Sequence, residues 1–594
     1  MKPIWKWLIG ILATLIILII GLVWYYSNNW KPIVESKLKE VIHSSTDGLY
    51  SLQYDDLDLN VALGNVTLRK AALVPDSAIY RQQVAAKKAP NNRYHIQLKA
   101  LKVKGFSIKD VVMNKKLDIS MIEFEEPNIH LISEYHAYND TIVQAKSKSL
   151  YENIKNIFNS INVRDVKIAD VKFKYSKLAE GNTSEINLEK VDIKVKDILV
   201  DETSLSDSMR FYYTKMIEVN VPGFEYDLPD GFYKVKFDNL RINTEDKNIL
   251  LTNVVYKPKM SRAAFYKQKN QNVTMADIKM DTLRVEHLNF RELIDNQQTL
   301  ASKLQIKNGA VNLYSDTRFR KFPVVKIGQS PHQKIMQMKK LLRIDTVFVD
   351  NIDLVYTQMS GKTGKEGAIS FNKARGTLTN VTNDSLLLKK DKYMRADLSA
   401  KIMNAGNLHA KFSFDMLSNS GYHTYVGTLG AMNATAFNRI LQPLLNVGLA
   451  SGNIRKVSFN MEGTDRKNWG TFKFDYDHLK VDLLNKQQDS GKQTGKKVIS
   501  FLVNQILIND SNPDANEVYH IGKVNYTRVP EHTFFKTMWQ SLLAGIKQCA
   551  GISPEREAKL MGTAETGKDV VTESKKTIQK TGNFIKGLFK KKEK

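Results

Sequence analysis

The sequence predicts a mainly β chain: one amino-terminal transmembrane helix, then a long, mostly antiparallel β-sheet with a few short helices, then amphipathic helices towards the carboxy terminus. Three observations predict this. An uncharged apolar run lies near the start, a short alternating motif recurs through the first 354 residues, and strongly amphipathic stretches follow Pro530.

The apolar run spans Leu8 to Tyr26, with Trp5, Trp7, Trp24 and Tyr25 near its ends. About 19 residues suit a helix crossing the hydrocarbon core, and flanking aromatics suit the two interfaces. The run ends in Trp-Tyr-Tyr rather than in a small-residue cleavage site, which argues for an uncleaved anchor over a signal peptide. Its orientation stays open, because Lys2 and Lys6 on one side face Lys31, Lys37 and Lys39 on the other. Residues 1–30 therefore read as the anchor. A short amphipathic helix is expected over 31–44, ending at Asp47-Gly48.

From there to about residue 485 the chain reads as one elongated β domain. Its organising motif is clearest at Ile278-x-Met280-x-x-Leu283-x-Val285-x-x-Leu288-x-Phe290. Apolar residues two apart mark a half-buried strand. Each two-residue spacer shifts the parity, as a β-bulge or tight turn would. Further copies are Leu101-x-Val103-x-x-Phe106-x-Ile108, Ile161 to Phe173, Val347-x-Val349-x-x-Ile352-x-Leu354, and shorter echoes at Val61–Leu68 and Val235–Ile242. Helices are expected at Leu150–Asn159, Ser330–Leu342 and Ala434–Leu445. Residues 486–530 read as a polar loop with closing strands. Residues 531–550 form an amphipathic helix on which Phe534, Phe535, Met538, Trp539, Leu542, Leu543 and Ile546 recur at helical spacing. Residues 551–594 read as a flexible linker and a basic tail in which Phe584, Ile585, Leu588 and Phe589 share a helical face beside Lys590, Lys591 and Lys592. Such a segment suits a membrane interface with anionic headgroups.

The formal charge of +26, from 88 basic against 62 acidic residues, favours anionic partners. It is diffuse rather than gathered with aromatics on one surface, which argues against nucleic acid. Cys549 is the only cysteine, so no intramolecular disulfide and no cysteine-rich zinc site can form. Catalytic signatures are missing. The eleven histidines contain no His-Glu-x-x-His. Gly361-Lys362-Thr363 has Tyr356 where a phosphate loop needs its first glycine, and Gly448–Gly452 has Ala450 where a nucleophile elbow needs serine. No enzyme, cofactor or metal ion is expected.

The anchor, the junction Ser45-Thr46-Asp47-Gly48 and the long series of degenerate strands resemble the AsmA-like family of bacterial envelope proteins. The likeness is fullest over about residues 400–485, through GTLGAMNATAFNRILQPLL, Ser451-Gly452, Phe459–Gly463 and Tyr476–Val481. The resemblance implies an inner-membrane anchor with the bulk of the chain in the periplasm, and a sheet curled into a groove with an apolar floor. It also implies a role in phospholipid transport and outer-membrane homeostasis; an envelope protein at the far end of the groove is a further expected partner. The residues expected to line the groove are Val103, Val166, Ile168, Ile278, Met280, Leu283, Val285, Val347 and Val349. A closed core built from the same residues, in a periplasmic scaffold that conducts no lipid, is the alternative.

Overall fold

The computed structural model describes residues 39–552 except 41, 44–45, 61, 141–148, 156–157, 180–181, 446 and 484–507. The expected anchor, its aromatic residues Trp5, Trp7, Trp24 and Tyr25, residues 486–507 of the expected loop and closing strands, and the tail with Phe584, Ile585, Leu588, Phe589, Lys590, Lys591 and Lys592 lie outside these residues. Among the described residues no helix is long and apolar enough to cross a membrane.

The fold is mainly β. The 24 named strands belong to one mixed sheet that is not closed into a barrel. Contacts divide the chain into two compact units, Met1–Val254 with Arg284–Gln298, and Val255–Leu283 with Thr299–Lys594.

The first unit opens with β1 (Tyr50–Gln53), β2 (Asp56–Asn60), β3 (Asn65–Arg69), β4 (Ala72–Pro75) and the helix α1 (Ser77–Ala85). Next come β5 (Asn92–Gln97), β6 (Ala100–Lys104), α2 (Ile108–Asn114), β7 (Lys116–Glu125), β8 (Asn128–Glu134) and α3 (Leu150–Ile154). Long strands follow: β9 (Ser160–Ala179), β10 (Asn182–Val200), β11 (Met216–Asp227), β12 (Tyr233–Asn243) and β13 (Asn248–Pro258, of which the residues from Val255 on belong to the second unit). β7 and β8 lie end to end along β9, both parallel to it. Parallel neighbours need a crossover connection. The one between β8 and β9 carries α3, whose Ser149 and Glu152 form a reciprocal capping box. The sequence motif puts Phe106 and Ile108 on a strand, but the strand stops at Lys104. Gly105 turns the chain in the left-handed region, and Ser107 caps α2 by accepting the Asp110 N–H.

The second unit contains α4 (Arg262–Lys269), β14 (Met275–Glu286, which also supplies residues to the first unit), β15 (Thr299–Asp316), α5 (Pro331–Met336), β16 (Leu342–Met359), β17 (Glu366–Thr382) and α6 (Ser385–Leu388). After these come β18 (Tyr393–Ile402), β19 (Gly406–Asp415), β20 (His423–Leu429), β21 (Met432–Asn433), α7 (Asn438–Leu445), β22 (Val447–Gly463), β23 (Lys467–Leu483), β24 (Ile521–Thr527) and α8 (Phe534–Cys549). β15 runs parallel to β16, across a connection that carries α5, and the pairings from β16 to β20 are antiparallel. The expected mostly antiparallel sheet is therefore mixed.

The parity-shifting spacers have a common backbone cause. Their second residue sits in the left-handed region at Gly105, Asp170, His287 and Asn351, and their first does so at Gly64. At two further spacers the facing strand holds one instead: Gly223 on β11 beside the spacer of β12, and Asp197 on β10 beside Arg164-Asp165. A left-handed residue inside a strand resets which face the next side chain takes. Apolar residues on both sides of it then stay on one face.

Candidate functional site

Two kinds of apolar face arise from this repeat. The first is sealed by helices. Val103 and Val166 are 5% and 6% exposed and belong to a core with Leu117, Ile119, Ile122 and Ile161, closed by Ile154 of α3 and Phe158. In the second unit, buried Val347 and half-buried Val349 pack in a cluster with Ile335 and Met336 of α5 and Phe534 and Met538 of α8. A second cluster there is covered by Cys549, Leu542 and Ile546 of α8.

The other kind is built from strands alone. In the first unit Val171, Val191, Val221 and Phe237 are buried, and around them Ile129, Ile168, Phe173, Leu188, Phe224 and Leu240 stay half-buried. These residues follow the register: Ile168 faces Ile193, Phe173 faces Leu188, Val221 faces Leu240 and Phe224 faces Phe237, with the last two rings stacked at 5.0 Å. Cross-strand apolar and aromatic pairs of this kind are the stabilising unit of a sheet face. Among the described residues no helical side chain takes part in this cluster.

Ile278, Met280, Leu283 and Val285 are likewise half-buried along β14. Met280 lies over Gly309 of β15, where an added Cβ would come to 2.5 Å from its sulfur. The nine residues expected to line one groove thus separate. Val103, Val166, Val347 and Val349 pack in helix-covered cores, Ile168 joins the covered core to the strand-only face, and the four residues of β14 are half-buried.

The alternate positions on the same strands carry cross-strand ion pairs. Lys104 meets Glu123 at 3.0 Å, and Lys102 pairs with Glu125. Arg241 meets Glu218 at 2.7 Å and Lys174 meets Glu185 at 2.9 Å. The hydrogen bond from Lys104 holds the Glu123 carboxyl below the usual carboxylate range, and that from Arg241 does the same for Glu218. The sheet of the first unit therefore has an apolar side and a charged side.

No family model matches the chain, and no curated protein matches it.

Several residues of the strand-only face were not among the sequence-derived candidates, chiefly Leu188, Val191, Val221 and Phe224. They obey the same motif. Val219-x-Val221-x-x-Phe224-x-Tyr226 has Gly223 as its second spacer residue, and Leu188-x-x-Val191-x-Ile193 has left-handed Lys190. Searching for a turn-tolerant residue ahead of each parity shift, rather than for alternation alone, would find both.

Among the described residues no group of three or more His, Cys, Asp or Glu side chains could hold a metal ion. Cys549 is buried and unpaired, and burial pushes its thiol up to about 11. It is a packing residue rather than a nucleophile.

Proposed function

We propose that the strand-only face is a lipid-binding surface, and that the chain is a membrane-anchored carrier or shield of phospholipid acyl chains, of the kind its AsmA-like resemblance implies. One observation carries the reading. Among the described residues the half-buried apolar cluster from β8 to β13 contains strand residues only, while alternate positions on those strands carry the ion pairs Lys174 with Glu185 and Arg241 with Glu218.

Burial of an acyl chain is favourable by about 0.8 kcal/mol per methylene, so a lipid with two chains of ~16 carbons faces a barrier of roughly 25 kcal/mol in water. A curled apolar floor, with the headgroup left in solvent, lowers that barrier without any catalytic group. The inner-membrane anchor, the periplasmic location and the envelope partner belong to the same proposal.

Site-specific photo-crosslinking tests it. A benzophenone residue replacing Phe224 in the full-length chain is expected to capture phospholipid in cells, whereas one replacing Lys194, on the charged side, is not. Phe224→Asp should lower co-purified phospholipid severalfold and leave the chain folded. Lipid-free protein, or equal capture from both sides, would sink the carrier reading in favour of a scaffold.

A further inference from the structure

The register of the second unit brings the start of β16, the end of β17, the start of β18 and the end of β19 to one edge, since Arg343 faces Thr382, Thr379 faces Arg395 and Tyr393 faces Asp415. Three large apolar side chains stand out there: Leu386 is 70% exposed, Met338 46% and Leu417 44%. The backbone that carries two of them is pinned. Asn383 donates through Nδ2 to the carbonyls of Met338 (3.1 Å) and Lys340 (3.0 Å) and accepts from the Leu342 N–H. Asp384 caps α6 by accepting the N–H groups of Leu386 and Leu387. Leu388 faces inward at 1% exposure, so the exposure of Leu386 is not a frayed turn.

Exposed lysines surround these tips. Lys339, Lys389 and Lys390 form no ion pair among the described residues. The nearby carboxylates are already engaged: Asp384 in the cap, Asp391 with Arg395, and Asp415 with Lys392. Protein interface cores are depleted in lysine. Separate apolar protrusions among unneutralised lysines instead match the two layers of a lipid surface, with acyl boundary beneath anionic headgroups.

We propose that this edge of the second unit docks peripherally on an anionic phospholipid bilayer, with Leu386, Met338 and Leu417 entering the interface and Lys339, Lys389 and Lys390 meeting headgroups. The inference stands whether or not the strand face of the first unit carries lipid.

A reporter at the edge separates it from any anchoring elsewhere. Full-length chain with Ser385→Cys carries bimane at that site, buried Cys549 being protected and the unsubstituted chain serving as the labelling control. It is reconstituted in vesicles of POPC alone, or of POPC with about one-third POPG, doped with a lipid spin-labelled near the headgroup. Quenching is expected to be at least about threefold stronger with POPG, to fall in high salt, and to be lost in Lys389→Glu/Lys390→Glu but not in Lys87→Glu/Lys88→Glu. Quenching that ignores POPG and the charge reversal overturns the proposal, as does its absence. A signal produced by added unlabelled chain without vesicles also overturns it, in favour of self-association.

Discussion

At the residue scale, single left-handed positions set the pattern that the whole sheet repeats. Asp170 is exposed, lies at φ +55° inside β9, and donates its backbone N–H to the Asp192 carboxylate. Asp and Asn tolerate this region and β-branched residues do not. Asp170→Val should therefore cost about 1–2 kcal/mol, and Asp170→Gly much less, in urea unfolding followed by circular dichroism. His332 makes a second residue-scale statement. It is 1% exposed, stacks on Phe414 at 5.1 Å, and among the described residues neither ring nitrogen has a hydrogen-bond partner; burial pushes its pKa down to about 4, from an ordinary 6.5. Around it lie His423, itself lowered by burial, with Asp465 and Asp415. With the folded value depressed, the unfolded chain takes up the proton first. Stability is then whole above pH 6.5 and falls as pH drops towards 4. The thermal midpoint should decline across that window, and His332→Leu should flatten the decline, with His423 supplying what remains. Motif spacing made the spacers legible, but which histidine is buried was not: nothing local distinguishes His332 from an exposed one.

At the element scale, α8 shows where periodicity stops short. The spacing predicts a docking face of Phe534, Phe535, Met538, Trp539, Leu542, Leu543 and Ile546. The buried seam is Phe534, Thr537, Ser541, Gly545 and Cys549, while Phe535 and Trp539 are 59% and 38% exposed. The reason is close approach. A Cβ added at Gly522 of β24 would come to 2.9 Å from the Gly545 Cα, and one at Gly545 would meet the Phe472 side chain at 2.5 Å. Backbone can come this near only where both residues lack a side chain. Gly545→Leu should thus push the helix off the sheet and cost about 1–3 kcal/mol, whereas Trp539→Ala should stay within about 0.5 kcal/mol, both read from denaturant midpoints. The existence of α3, α5, α7 and α8 is legible from spacing and caps. The short helices α1, α2, α4 and α6 are not, because each presents too few apolar turns to separate it from strand.

At the scale of the molecule, the two-sided sheet ties stability to acid. The carboxylates of Glu123, Glu185 and Glu218 are held below their ordinary 4.5 chiefly by bonds from Lys104, Lys174 and Arg241. A lowered folded-state value means stability present above pH 4.5 and lost as pH falls through the folded values. Exposed pairs contribute little singly, so the effect is a sum. The urea midpoint should drop below pH 4.5, and high salt should shrink the drop by screening the pairs. His332→Leu leaves this lower window unchanged, which separates it from the histidine effect. The apolar side belongs to the same scale. Val103→Asp would bury a charge in a sealed core and should unfold the first unit, while Phe224→Asp should not.

The sequence by itself determined the β class, the repeat and its parity shifts, because alternation and turn-tolerant residues act within a few positions of the chain. Only the tertiary structure decided which copies of that repeat are covered. Val103 and Ile278 carry the same local pattern, yet one lies under helix α3 and its neighbours while the other is half-buried on β14. Covering depends on elements distant in sequence, and on glycine contacts such as Gly522 with Gly545 that no period announces.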